Sequence, residues 1–393
     1  MLLVLSFVAS FLVSPSPDVA QEAPQLPAAR CEELRAKLEE LMERFHLPGM
    51  SAAIVHRRGV AWSAGLGYAD LEQGVWAAPD TRYRLASVSK PFAAVLTLQL
   101  VEQGKLVLDA PMKDFWIPKW FAPDPARYRE RPVLLRHVLE HTSEGVQGED
   151  EPGEAYAYNG NVFSDLTWVL EGVTRTAYPQ LLEQRVFAPA GMERSLPGHT
   201  RAGATELGEL ARPYRWTGSE FERTTWQMMD PDPALERADF GPIFEMSAEA
   251  VAARKELLGE GFMHLNAVSA AGEATSTVLD LARFDIALDE GRLLSAESRE
   301  RMWTPRRTEK GAALPYALGW FVEEIAGRKV IWHYGWLPPG VSALYLKVPA
   351  AELSFFLLAN SDGLSASFAW TREGVRASPF ARAFLSSFEL DRP

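Results

Sequence analysis

A single cysteine, Cys31, stands in a chain of 393 residues. One thiol excludes an internal disulfide and any cysteine-based metal cluster. Cys31 opens a Glu-rich polar stretch with no histidine beside it, so nothing marks it as a nucleophile. Long basic runs are also missing. The 40 Lys and Arg against 52 Asp and Glu leave a net charge of −12, which argues against a nucleic-acid partner bound by neutralising phosphates. No apolar stretch is long enough to span a bilayer. The run from Leu2 to Val13, followed by Ser14-Pro15-Ser16-Pro17, has the form of a signal-peptide h-region, without a basic residue before it and with small-residue cleavage points after Ala20 or Ala28. The expectation is a signal peptide and tail over residues 1–28, an exported periplasmic or extracellular protein, and no membrane span once the leader is removed. Internal repeats and low-complexity segments are absent.

What is present is an ordinary globular composition, 47% hydrophobic and 23% charged, in a chain long enough for two lobes around a large core. Glu32 to Phe45 predicts an amphipathic helix with Leu34, Leu38, Leu41, Met42 and Phe45 on one side. Met50 to Val55 and Val60 to Leu66, joined by His56-Arg57-Arg58-Gly59, predict a β-hairpin. A helix is expected from Ser87 to about Gln103, with Pro91 in its first turn, where proline is tolerated. Further helices are expected over Leu134 to Glu140, Val162 to Val173, Tyr178 to Phe187 and Thr277 to Leu288. The polar stretch from Thr200 to Asn266 carries no clear pattern. Tyr316 to Ile325, Lys329 to His333, Val341 to Val348 and Leu353 to Ala359 are β-branched and aromatic runs split by turn residues, an antiparallel meander. A last helix, interrupted at Pro379, is expected over Ser365 to Phe388. The fold class is α+β: N- and C-terminal strands share one antiparallel sheet flanked by helices, with a mostly helical lobe inserted. The domain reading is one unit over 29–393, with an α/β lobe from about 29–110 and 300–393 and a helical lobe from about 111–299.

Ser87-Val88-Ser89-Lys90 is the one place where a serine stands three before a lysine. On a helix the hydroxyl and amine share a face. An alcohol is a poor nucleophile unless a base stands beside it, and a lysine becomes a base when burial or nearby positive potential lowers its pKa. Taken alone, the tetrad reads equally as a serine-capped surface helix with a solvated lysine. Tyr156-Ala157-Tyr158-Asn159-Gly160-Asn161 forms a Gly-containing loop in which a tyrosine can act as a general base beside a cation, or can pack under a turn. His333-Tyr334-Gly335-Trp336 ends an expected strand. There a histidine can face a cleft while a following N–H points at a substrate oxygen, or it can be a half-buried strand residue.

These three segments, in this order, resemble the motifs of the serine β-lactamase and penicillin-binding protein family, in particular its class C-like branch of D-Ala-D-Ala carboxypeptidases, β-lactamases, esterases and D-amino-acid peptidases. Arg84-Leu85-Ala86, Leu135 to Ser143, Pro189-Ala190-Gly191-Met192, Ala271-Gly272 before Ser276-Thr277, Leu318-Gly319-Trp320 and Ala359-Asn360-Ser361 extend the resemblance from about Glu32 to Phe388. It implies a serine hydrolase with an acyl-enzyme on Ser87, Lys90 and Tyr158 sharing the proton work, and an oxyanion hole of the Ser87 and Trp336 backbone N–H groups. His333, Gly335, Gly160 and Asn161 would bind substrate. It implies no metal or organic cofactor, and a small-molecule or peptide substrate. Oligomeric state is not readable.

Two departures bear on substrate. Tyr158-Asn159-Gly160 lacks the usual third-position Asn, for which Asn161 or Asn159 would have to stand in. His333 occupies the place of the usual Lys, and a neutral imidazole is a weaker carboxylate anchor than an ammonium. Both lower the expectation of β-lactam hydrolysis and keep open a slow-deacylating penicillin-recognising sensor or a non-catalytic scaffold. His137 and His141, at i and i+4, have a spacing that can bind zinc, but the resemblance explains them as structural. Tyr214, Trp216 and Trp226 are candidates for the substrate-cleft wall.

Overall fold

Strands β1 (Gly49–His56) and β2 (Gly59–Asp70) form the expected hairpin, turning through Arg57 and Arg58, both at positive φ. The computed structural model describes residues 26–115, 132–143, 150–198, 210–224, 269–308, 310–366 and 368–392. Most of the expected leader lies outside these residues, as do His199, Trp226 and His264. Strand β3 (Val75–Trp76) adds to β2, and β4 (Tyr83–Arg84) lies apart from the main sheet. Within the polar stretch, β5 (Tyr214–Trp216) and β6 (Phe221–Arg223) form a small hairpin that no sequence pattern announced. Strand β7 (Thr275–Ser276) pairs with β4. The meander is β8 (Phe321–Ile325), β9 (Arg328–Leu337), β10 (Val341–Val348) and β11 (Leu353–Ala359).

Among the described residues the main sheet has seven strands in the order β3-β2-β1-β11-β10-β9-β8. Antiparallel pairing of β1 with β11 sets Met50 opposite Ala359 and His56 opposite Leu353. The two ends of the chain therefore meet in one sheet, as expected. β1, β10 and β11 are covered on both faces, which is why they read as continuous apolar runs rather than alternating ones. Helix α1 (Ala28–Arg44) and the C-terminal Pro379–Ser387 helix cover one face, where they bury Ala52, Ile54, Phe355 and Leu357. Ala53, Val55, Phe356 and Leu358 face the other layer, which holds α2 (Lys90–Glu102) and the Val278–Asp289 helix.

Some helix boundaries differ from expectation. Pro379 starts the last helix rather than interrupting a longer one: Ser378 Oγ accepts the Ala381 N–H at 3.3 Å, and a first-turn proline sacrifices no hydrogen bond. Helix α3 (Leu135–Leu139) is as expected, but the helix expected over Val162 to Val173 is two, α4 (Gly160–Ser164) and α5 (Leu166–Thr174). No described helix is long and apolar enough to cross a membrane.

Candidate active site

Ser87 does not open the α-helix. It lies in a 3-10 turn, Ala86–Ser89, and α2 begins at Lys90. A 3-10 turn repeats every three residues, so positions i and i+3 eclipse. That brings Lys90 Nζ to 2.9 Å from Ser87 Oγ. Ala86 has φ 45, a left-handed conformation that costs a residue with a Cβ of order 1–3 kcal/mol. The turn is held from outside: the Leu85 N–H donates to Ala274 O at 2.9 Å, and the Ala274 N–H donates to Ser89 Oγ at 3.2 Å.

Lys90 is 1% exposed. Burial lowers its pKa from 10.5 to about 7, against a partial upward pull from Glu273. Desolvation is thus the leading cause. A second bond, from Nζ to Ala271 O at 2.7 Å, aims the amine. With one N–H spent there, a neutral Lys90 keeps its lone pair for the Ser87 proton. The Lys90 Nζ also lies 5.0 Å from the centroid of the Tyr158 ring. The Tyr158 ring is partly buried with its hydroxyl enclosed, and that burial pushes its phenol well up, with the Ser87 hydroxyl as a smaller opposing influence. The phenol is therefore protonated at neutral pH and can pass a proton on, whereas Lys90 is the group that can be unprotonated at rest.

Gly160 lies against the amine: a Cβ there would sit 3.9 Å from Lys90 Nζ. Asn159 is used up as the N-cap of α4, its Oδ1 accepting from Asn161 N (3.0 Å) and Val162 N (3.2 Å). Asn161 follows on the exposed side of the same turn. Lys90 Nζ hydrogen-bonds to Ser87 and Ala271 and to neither asparagine.

His333 lies at this wall but does not face an open cleft. It is 0% exposed, and both ring nitrogens are occupied. Nδ1 lies 2.8 Å from the Tyr334 carbonyl, which only accepts, so Nδ1 carries the proton. Nε2, 2.9 Å from the Tyr316 hydroxyl, is then the acceptor. Burial, with the Lys90 charge second, lowers the His333 pKa to about 3. The ring is neutral and presents no free N–H to a carboxylate, so the expected anchoring role does not fit this arrangement. Tyr316 was not legible as its partner, because nothing in a sequence links positions 316 and 333.

Gly335 has a packing reason: a Cβ there would fall 2.1 Å from Leu85 O. Its bareness lets β9 press against the Ser87 turn. The Ile325–Arg328 turn directs Arg328 and every second residue after it toward β8. Since β8 ends opposite Trp332, the Trp336 N–H faces an open edge. The Trp336 side chain is 44% exposed.

The structure therefore brings Ser87, Lys90, Tyr158, Gly160 and His333 together, with β9 against their turn. Sequence reasoning missed Ala271, which acts through its carbonyl. Tyr214 and Trp216 do not gather here: the Tyr214 hydroxyl bonds to Asp70 Oδ1 at 3.2 Å, and Trp216 stacks on His46 at 4.1 Å. Trp216 lines a cavity of about 690 Å³ between α1, β2 and the β5–β6 hairpin, which Ser87 does not line.

A buried amine bonded to a serine on a strained turn, beside a strand with an open edge, can carry out nucleophilic acyl transfer. The chain belongs to the Beta-lactamase family, whose model matches residues 34–377. It is 22% identical over 362 residues to penicillin-binding protein 4* of Bacillus subtilis (strain 168), over 84% of this chain and 71% of that protein. Over 116 residues it is 36% identical to esterase EstB of Burkholderia gladioli, 30% of this chain and 29% of that one. The D-amino acid amidase from Ochrobactrum anthropi SV3 shares the fold, with a TM-score of 0.66 at 20% identity over 93% of this chain and all of that one. The chain spans less than two thirds of the length of several curated relatives it matches.

Proposed function

We propose that this chain is a serine hydrolase that acts through an acyl-enzyme on Ser87, on ester, amide or peptide bonds, with substrates lacking a free carboxylate preferred. The observation that carries the reading is the 2.9 Å contact between Ser87 Oγ and a buried amine whose pKa is about 7. Neutral Lys90 takes the Ser87 proton as Oγ attacks the carbonyl. The developing oxyanion sits between the backbone N–H groups of Ser87 and Trp336, each such donor being worth about 2.7–4 kcal/mol of barrier. The proton passes through Tyr158 to the leaving group, and water returns through the same groups to release the acyl chain.

The preference rests on His333. An imidazole held neutral, with its Nδ1–H donated to the Tyr334 carbonyl, offers no charge or free donor to the carboxylate of a β-lactam or a D-Ala terminus. The partial likeness to an esterase points the same way. A second reading, a slow-deacylating sensor, is favoured by Gly160 alone, which leaves no amide beside Lys90. Export follows from the apolar leader, giving a mature chain that begins near residue 29 and works in the periplasm or outside the cell.

The test is a panel of p-nitrophenyl esters, a chromogenic cephalosporin and D-Ala-D-Ala peptides against the mature chain. Sustained turnover with esters ahead is the expected result. A cephalosporin or a carboxylate-terminated peptide turned over faster than every ester would sink the preference. A stoichiometric burst with no following rate would favour the sensor.

A further inference from the structure

Tyr158 sits on a loop, yet the peptide groups on both sides of it are held by one residue from another segment. The Ala157 N–H donates to the His141 carbonyl at 2.8 Å. The Asn159 N–H donates to His141 Nδ1 at 3.1 Å. Between these two anchors, the His141 ring packs on the Tyr158 ring with centroids 4.2 Å apart. His141 itself is fixed: it follows α3, is 2% exposed and adopts φ 53, and the next residue is tied back by Thr142 N–H to His137 O at 2.8 Å.

An Nδ1 that accepts a hydrogen bond must be unprotonated, so the ring proton lies on Nε2. Nε2 is buried and has no hydrogen-bond partner among the described residues. A side chain needed only to fill this aromatic pocket would do so at less cost without a polar N–H to bury. The imidazole is therefore explained by its other nitrogen. Burial, and then the Lys90 charge, keep its pKa well below the ordinary value. The acceptor is thus present throughout the range in which Lys90 titrates.

We propose that His141 is the positioning residue for Tyr158, holding the Ala157 and Asn159 N–H groups on either side of the tyrosine through its carbonyl and Nδ1 so that the phenol is held at Ser87. This rests on the reading of Tyr158 as the proton relay. Nothing in it requires His141 to touch substrate.

Asparagine is the discriminating replacement. Its Oδ1 stands where Nδ1 stood, and Asn tolerates the left-handed backbone better than most residues. Leucine fills space without an acceptor. The experiment measures kcat and KM for a p-nitrophenyl ester in Tyr158→Phe, His141→Leu, His141→Asn and the Tyr158→Phe/His141→Leu pair, with near-UV circular dichroism as the check on folding. Tyr158→Phe is expected to lower kcat/KM by about 10²–10⁴. His141→Leu should lose a comparable factor, in kcat rather than KM, and the double variant should be no worse than Tyr158→Phe. His141→Asn should recover most of the activity. If the leucine variant does not fold, His141→Gly, which accepts this φ and lacks the acceptor, takes its place in the cycle.

A folded Asn variant no better than Leu would overturn the proposal. So would a His141→Leu loss that multiplies in full onto Tyr158→Phe, which would leave the role of Tyr158 intact. If Tyr158→Phe retains full activity, the relay reading fails, and the inference falls with it.

Discussion

The acid limb of the pH profile should belong to Lys90, and Glu273 should move it in a direction opposite to casual expectation. An ordinary lysine with a pKa of 10.5 is neutral in roughly one copy in 3,000 at pH 7. Burial brings Lys90 to about 7, where half the copies are neutral. The site thereby gains a factor of about 10³ in competent base. In the free enzyme kcat/KM reports this group, so it should rise with pH through a midpoint near 7. Glu273 opposes the burial by stabilising the ammonium. Glu273→Gln removes that charge, while the amide oxygen can still accept the Ser269 N–H now bound at 2.8 Å. The midpoint should then fall to lower pH, making the variant relatively more active in mild acid. The assay is kcat/KM for a p-nitrophenyl ester from about pH 5.5 to 9 at constant ionic strength. A profile flat between pH 6 and 8, or a midpoint that rises in Glu273→Gln, would refute the assignment of Lys90 as base.

Three further outcomes follow from the same geometry. Lys90 holds its proton up to about pH 10.5 when unfolded but only to about 7 when folded, so stability should rise with pH across that window and carry the full penalty below it. Lys90→Met should therefore raise Tm at pH 7 and below, by less near pH 10, while abolishing hydrolysis; a lower Tm at pH 6 would contradict the burial penalty. Gly335→Ala sets a Cβ 2.1 Å from Leu85 O and should cost about 1–3 kcal/mol in urea unfolding together with most of the activity, because the Ser87 turn must shift; an unchanged midpoint would contradict the close approach. Tyr316→Phe leaves buried His333 Nε2 without its donor and should cost about 1–3 kcal/mol, also read in urea.

What the sequence revealed, and what it hid, divides by range. β1, β10 and β11 were legible because both faces are covered and their apolar runs are unbroken. β9 was seen only to His333, because Gly335 and the exposed Trp336 break the apolar pattern, although the strand continues to Leu337. The two short helices α4 and α5 merged into one because the apolar spacing runs on through Asp165. At the site, Ser87 and Lys90 were legible because their contact is local, three residues along one turn. The 3-10 geometry was hidden, since Ala86 gives no sign of positive φ. Ala271 acts through a carbonyl, which every residue has. His333 carried the right residue type for a cleft, but its two partners fill both nitrogens, and only the folded chain brings Tyr316 to it.

The most direct test of the account is intact-mass analysis of the mature chain after a fluorophosphonate probe, with the adduct mapped by peptide sequencing. The account predicts one adduct per chain, on Ser87, formed faster as pH rises through about 7 and absent in Ser87→Ala. No adduct under conditions that label a control hydrolase, or an adduct that persists in Ser87→Ala, would contradict it.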